Sequence, residues 1–522
     1  MQNDETTSAR SLKPFCRSSV FIQRFAFVLL ALLALVVRLP QLAERPMHTD
    51  EAVNGYILGE ILDGQSYQYD PQDKHGPFLF ALATPVARLC GAKHFADLTE
   101  TQLRLTPAIF SALAILLFGT GVRVFGFIPC VVGAILFAIA PISVYYGRYF
   151  IHETLFVAAT LGLLIFGWRM LRDNSLTAAA LTGLFAAIAL ASKETVVINF
   201  MALAFTGGAM LLVRRMERKT FAAAGQASRL SPTSLESSDL RHARRLSYAV
   251  ATGVFAVATI LLFTWGGRHW QALADLFRAV PLFTARAGGQ GHEKAFQYYF
   301  TLLGDGWSGV SVLLLAAIGC WRVWKIRQHL WLVIYTAGVF LIYSVIPYKT
   351  PWLALNLLLP VSILAGFAME WVWNSTSGRV ARSSVLIGCA VILGLLALDT
   401  NRRAFNASAS ENNPYAYAHT IPDVLRLPGV VRFHADKLGL ANPVIAIVAE
   451  DPWPLPWYLR QFQNVGFWQP GQRVGAADFY VTTTELPSDI AEAVQRHRPD
   501  FFGVRPNVLF MLWSPTEPPR TP

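Results

Sequence analysis

Two adjacent carboxylates, Asp50 and Glu51, stand in the run His48-Thr49-Asp50-Glu51, just after an apolar stretch long enough to cross a membrane. Cations recur at the edges of other apolar stretches: Lys74 with His75, Arg104, Arg148 ahead of His152-Glu153, Lys193-Glu194, and Lys349. Ionisable groups at that depth are costly unless they are paired or functional. A carboxylate can take the proton of an attacking hydroxyl, and lysines and arginines stabilise a departing phosphate. Together these residue types describe a site that holds a phosphate and removes a proton. Each also has a plainer reading. Arg104 or Lys349 alone would snorkel to headgroups, Glu153 and Glu194 would neutralise Arg148 and Lys193, and Asp50-Glu51 would cap a loop helix.

The elements that position these residues follow from composition. Of 522 residues, 54% are hydrophobic and 15% charged, whereas a soluble chain is about a quarter charged. That excludes a water-soluble multidomain enzyme and a disordered chain. Eleven apolar runs are predicted to span, at about 21–39, 105–123, 127–146, 153–171, 175–193, 195–213, 247–265, 308–324, 330–347, 351–373 and 384–399. The first follows a basic stretch (Arg10, Lys13, Arg17, Arg24) and reads as an uncleaved anchor behind a cytoplasmic segment, 1–20. Gly76 to Gly91 is too short to cross, and treating it as an interfacial helix places Arg123, Arg169, Arg172, Arg322, Lys325, Arg379 and Arg382 on the cytoplasmic side. The net charge of +11 then reads as a positive-inside signal, and no folded basic patch with interleaved aromatics supports a nucleic-acid partner.

This predicts an all-α polytopic domain over 21–400, with a first outer loop at 40–104 and a flexible cytoplasmic loop at 214–245. The latter holds eight basic and three acidic residues. A small extracytoplasmic α/β domain is predicted over 401–522, with strands at Pro443–Glu450, Ala477–Thr483 and Asn507–Trp513 and a helix at Leu486–Arg498. The Pro- and Trp-rich run 451–457 is expected to pack on its own domain or on the membrane interface. Five cysteines give neither a disulfide framework nor a metal spacing. Asp50-Glu51 could ligate a divalent cation, but side-chain cations already supply charge, so no metal or other cofactor is expected.

The motifs resemble those of the GT-C superfamily of integral-membrane glycosyltransferases, in the protein O-mannosyltransferase-like group (glycosyltransferase family 39). There an Asp-Glu pair opens the first outer loop, here Asp50-Glu51. A Lys-Pro-Pro-like motif precedes the interfacial helix, here Lys74-His75-Gly76-Pro77, and an Arg-Leu-x-Pro-like start opens the next span, here Arg104-Leu105-Thr106-Pro107. Arg148, Glu153 and Lys193-Glu194 also look like family positions. His48–Ala52, Tyr69–Pro71 with His75–Pro77, Tyr348–Trp352 and Glu450–Tyr458 are similar to a branch labelled "flippase activity-associated". The resemblance implies a GT-C fold with interfacial helices, a cavity open to the outside, and Asp50 as general base with Glu51 beside it. His75 departs from the usual proline.

On the outer face there are no nucleotide-activated sugars, so a transferase there needs a lipid-carried donor. The expected activity is inverting transfer of a mannose-like or other hexose from a polyprenyl phosphate to a hydroxyl on a lipid, glycan or protein. His48, Lys74, His75, Arg104, Arg148, Glu153, Lys193, Glu194 and Lys349 would bind substrate, at the plasma (inner) membrane. The alternatives are a non-catalytic flippase-associated component and a scaffold whose tail binds an envelope partner.

Overall fold

The computed structural model describes residues 15–223, 238–289, 291–486 and 488–516. All eleven expected apolar runs are helical. They lie in α1 (Phe15–Arg38), α4 (Glu100–Phe125), α5 (Phe127–Ile139) with α6 (Pro141–Tyr146), α7 (Glu153–Asp173), α8 (Leu176–Ser192), α9 (Val196–Ala223), α10 (Ser238–Phe263), α13 (Gly306–Ile326), α14 (Leu330–Val345), α15 (Ala354–Ser375) and α16 (Arg379–Thr400). Seven helices among the described residues are long and apolar enough to cross a membrane, and several shorter apolar helices accompany them. The protein is therefore a multi-pass membrane protein. Of the loop expected at 214–245, both ends are helical, as parts of α9 and α10. Its middle lies outside the described residues, as do residues 1–14.

Connecting segments supply the remaining helices: α2 (Thr49–Leu62), α3 (Phe78–Leu89), α11 (Gln271–Arg286) and α12 (Tyr298–Leu303). Helix α3 covers the segment expected to be interfacial, and its 12 residues are too few to span. Helices α2, α3 and α11 gather at the end of the bundle where α1 and α8 finish and α4 and α7 begin. At the centre lies α15, fully buried from Ala354 to Ala368.

The tail holds α17 (Leu427–Leu438), α18 (Leu455–Tyr458), α19 (Ser488–Ala493) and five strands: β1 (Val444–Val448), β2 (Asn464–Trp468), β3 (Phe479–Thr483), β4 (His497–Arg505) and β5 (Val508–Pro515). The sheet order is β2-β1-β3-β5-β4, parallel across the first three and antiparallel across the last three. The three expected strands match β1, β3 and β5. The expected helix ends at Arg496, where β4 takes over. Strands β2 and β4 have mixed burial with no clean alternation, which hid them from a period-two reading.

One side of the tail's sheet closes within the tail, around Val448, Tyr480 and Ile490, but the other does not. One apolar cluster runs from Ile445, Ile447, Phe479 and Leu512 through Trp457 to Met47, Leu58, Tyr67 and Phe80 of the first loop. Part of the run 451–457 therefore packs on the first loop as well as on its own domain. Trp457 is wholly buried, donates its indole N–H to Glu100 at 2.7 Å and lies against the Gly55 backbone. A Cβ on Gly55 would meet that ring at 2.8 Å, so α2 needs glycine there. Next to it, the Tyr458 hydroxyl accepts the Met47 N–H at 2.7 Å. Trp457→Ala is expected to cost about 3–5 kcal/mol. In limited proteolysis it should free the tail; a protease pattern identical to the native protein's would count against this docking.

Candidate functional site

Helix α2 starts with a cap made from its own sequence. The Asp50 N–H donates to His48 Nδ1 at 3.0 Å, and the Glu51 carboxylate accepts the His48 N–H at 3.3 Å. A carbonyl can only accept, so the 3.1 Å contact of His48 Nε2 with the Tyr417 carbonyl is an N–H donation. Both ring contacts then fit one neutral tautomer. Tyr149, Trp352 and His419 pack around the ring at 5.5–5.9 Å. His48 thus ties the start of α2 to a tail segment. Burial holds the neighbouring His419 imidazole well below the usual histidine range, helped by Arg45 and His48.

Neighbouring residues on a helix diverge by about 100°, and here that separates two carboxylates completely. Glu51 is fully buried. It takes both arms of the Arg104 guanidinium at 2.8 Å, the Phe150 N–H at 2.9 Å, and lies 3.6 Å from Arg45. Burial alone would raise its carboxyl; the charges of Arg104 and Arg45 and these hydrogen bonds reverse that and bring it down to about 2. A carboxyl depressed in the folded state contributes stability above its unfolded value, and that stability is lost as pH falls through the folded value. The unfolding midpoint should therefore decline on acidification below about pH 4.5, toward 2, and Glu51→Gln should flatten that decline. An equally steep decline in the variant would contradict the assignment.

Asp50, by contrast, leaves 47% of its side chain exposed, with only a 3.9 Å approach to His48. It lies within electrostatic reach of Lys193, Tyr149 and Tyr348. Lys193 closes α8, ion-pairs with Glu153 at the start of α7 and sits 6.0 Å from the Trp352 ring centre. His75 donates to Glu194 at 2.9 Å, and the other Glu194 oxygen accepts the Tyr69 hydroxyl at 2.9 Å. The following residue must be glycine, because a Cβ on Gly76 would meet the Ala191 carbonyl oxygen at 2.2 Å. His75 stands where the motif usually has proline, and here its ring anchors the loop to the end of α8. Lys74 lines a cavity of about 460 Å³ between the first loop and α11, with Tyr69, Asp70, Gln72, Asp275 and Arg278.

Three expected phosphate ligands are otherwise engaged. Besides Glu51, Arg104 donates to the carbonyls of Leu42, Arg45 and Pro46. Arg148 donates to the carbonyls of Pro40, Gln41 and Ala404. Lys349, 1% exposed, donates to the carbonyls of Lys294 and Ile346. These cations fasten loops. The structure brings Asp50 within electrostatic reach of the Lys193–Glu153 pair, joins His75 to Glu194, sets Lys74 in the larger cavity, and gathers Arg104 with Arg148 about a separate, smaller one.

Residues 266–305 contribute more than the sequence suggested. The Arg286 guanidinium reaches the Gln72 carbonyl and acts electrostatically on Tyr348. The Lys349 N–H donates to the His292 carbonyl at 3.0 Å, and His292 Nδ1 meets the Tyr417 hydroxyl at 2.9 Å. Nothing in the local sequence marks Tyr417 or His292. The amphipathic pattern of α11, broken by Pro281, was the one available signal.

Residues 74–234 match the family model described as dolichyl-phosphate-mannose-protein mannosyltransferase. Among solved structures, ArnT from Cupriavidus metallidurans, bound to undecaprenyl phosphate, superimposes with a TM-score of 0.62. It is 16% identical, over 93% of this chain and 97% of that one. The archaeal oligosaccharyltransferase AglB from Archaeoglobus fulgidus, in complex with an inhibitory peptide and a dolichol-phosphate, gives 0.55. It is 14% identical, over 97% of this chain and 77% of that one. Compared by sequence alone, no curated protein matches. The fold is that of the GT-C membrane glycosyltransferases. The family match covers about a third of the chain, and the likeness to the solved structures is one of fold.

Proposed function

We propose that the protein transfers a hexose from a polyprenyl-phosphate donor to a hydroxyl on a lipid, glycan or protein, at the outer face of the plasma membrane. The carrying observation is the division of labour at α2: Glu51 is buried and engaged, whereas Asp50 is half-exposed within electrostatic reach of Lys193. Asp50 takes the proton of the acceptor hydroxyl as that oxygen attacks the anomeric carbon and the C–O bond to phosphate breaks. One carboxylate suffices for a single displacement, so the anomeric configuration inverts. Lys74 and Lys193, aided by Arg286, meet the phosphate as its negative charge grows. His75 and Glu153 position these groups through Glu194 and Lys193, while Arg104, Arg148 and Lys349 hold the loops that frame the site. The polyprenyl phosphates named with the ArnT and AglB structures support this donor class. In this reading the N-terminus is cytoplasmic and the tail extracytoplasmic. In cells lacking their own copy, the native protein should restore incorporation of labelled sugar into the envelope and Asp50→Asn should not. Normal incorporation by that variant would remove Asp50 from the mechanism.

A further inference from the structure

On the Glu51 side of α2 lies a second, smaller cavity, lined by Glu44, Arg45, Arg104, Arg148, Phe405 and Ser408 among others. Its three arginines are each at least 93% buried. The Nε–H groups of Arg45 and Arg148 are buried and, among the described residues, have no hydrogen-bond partner. Arg38, Arg45 and Arg104 all act electrostatically on Arg148, and Glu44 is the carboxylate among its main influences. Glu51 pairs with Arg104 and Arg45, and Glu100 also acts on Arg104. Four guanidiniums thus share three carboxylates, leaving one positive charge over in a buried cluster, which is costly without an anion.

The enclosed space is about 20 Å³, room for about one water-sized atom. A whole phosphate cannot enter, but one of its oxygens can. Glu44 is exposed and Ser408 half-buried, so the cavity opens to the surface. It lies where α1 ends and α16 has just ended. Both helices present exposed apolar residues outward, Ile22, Leu32 and Val36 on one and Leu386, Ile387, Val391 and Leu398 on the other. Those faces suit lipid chains, which puts the cavity mouth at headgroup depth.

We propose that this cavity is an anion site, separate from the Asp50 side, which takes one oxygen of a phosphate group such as a membrane-lipid headgroup. Its ligand neutralises the arginine cluster and braces α2 from behind the Glu51 carboxylate. The test uses the full chain purified in a maltoside detergent, which carries no phosphate, with phosphatidylglycerol or inorganic phosphate added at constant ionic strength. Either addition should raise the unfolding midpoint by roughly 2 °C or more, since a ligand that binds only the folded state stabilises it. A rise with phosphatidylglycerol alone identifies a headgroup, and a rise with both identifies phosphate generally. Arg45→Gln should abolish the rise. Ser408→Glu puts a carboxylate at the mouth, so it should start with a higher midpoint and gain nothing further, and it stays readable if Arg45→Gln fails to fold. An unresponsive native protein, or a Ser408→Glu variant with the native starting midpoint and the full rise, would overturn the proposal.

Discussion

Asp50→Asn is expected to insert, fold and unfold like the native protein while losing transfer by a factor of about 10²–10⁴, the usual contribution of a positioned general base. The expectation rests on what the side chain does not do. Its carboxylate is half-exposed and makes one loose approach to His48. The contact that caps α2 comes from the Asp50 backbone N–H, which asparagine keeps. The amide preserves size and polarity but cannot take a proton at working pH. Asp50→Glu restores a base one methylene further out, and partial recovery is expected because placement as well as basicity sets the rate. Turnover of purified variants, with unfolding midpoints measured beside it, separates these outcomes.

Glu51→Gln makes the same chemical change one residue later and is expected to do the opposite. It leaves Arg104 and Arg45 buried with no carboxylate at 2.8–3.6 Å. Breaking one partner out of a buried ion pair costs about 3–5 kcal/mol. Against a typical total stability of about 5–15 kcal/mol, that is enough to lower the yield of folded protein sharply. If the loss reflects a stranded charge, removing that charge should return part of the stability, so Glu51→Leu with Arg104→Met should accumulate better than Glu51→Leu alone. Size-exclusion profiles and unfolding midpoints measure both. A Glu51→Gln protein as stable as the native one would contradict the buried pairing.

The contrast between these neighbours marks the boundary of what the sequence conveyed. Apolar runs are a local property, so the helices they form were legible, as was the shortness of the helix within Gly76 to Gly91. A helix start at Asp50-Glu51 was one of the plainer readings, but the capping side chain is His48, with Glu51 completing the box. Which carboxylate faces inward was not legible, because that depends on Arg104, 53 residues away, and on the Phe150 N–H, 99 residues away. Arg104, Arg148 and Lys349 carried the right charge for a phosphate, yet they donate to backbone carbonyls, and Arg104 to Glu51 as well, which composition cannot show. The longest-range feature was the least visible. Trp457 and Tyr458 reach Gly55 and Met47 across some 400 residues, so a tail that reads as a separate domain completes the core beneath the loop bearing Asp50.

A single measurement bears most directly on the transferase reading. The purified protein is reconstituted into vesicles whose outer leaflet carries a polyprenyl-phosphate hexose labelled in the sugar, with candidate hydroxyl acceptors supplied on the same side. Free polyprenyl phosphate and labelled acceptor should appear together, in equal amounts, and neither should appear with Asp50→Asn. Movement of the intact lipid between leaflets, with the sugar–phosphate bond unbroken for every donor and acceptor supplied, would contradict transfer and favour the flippase reading.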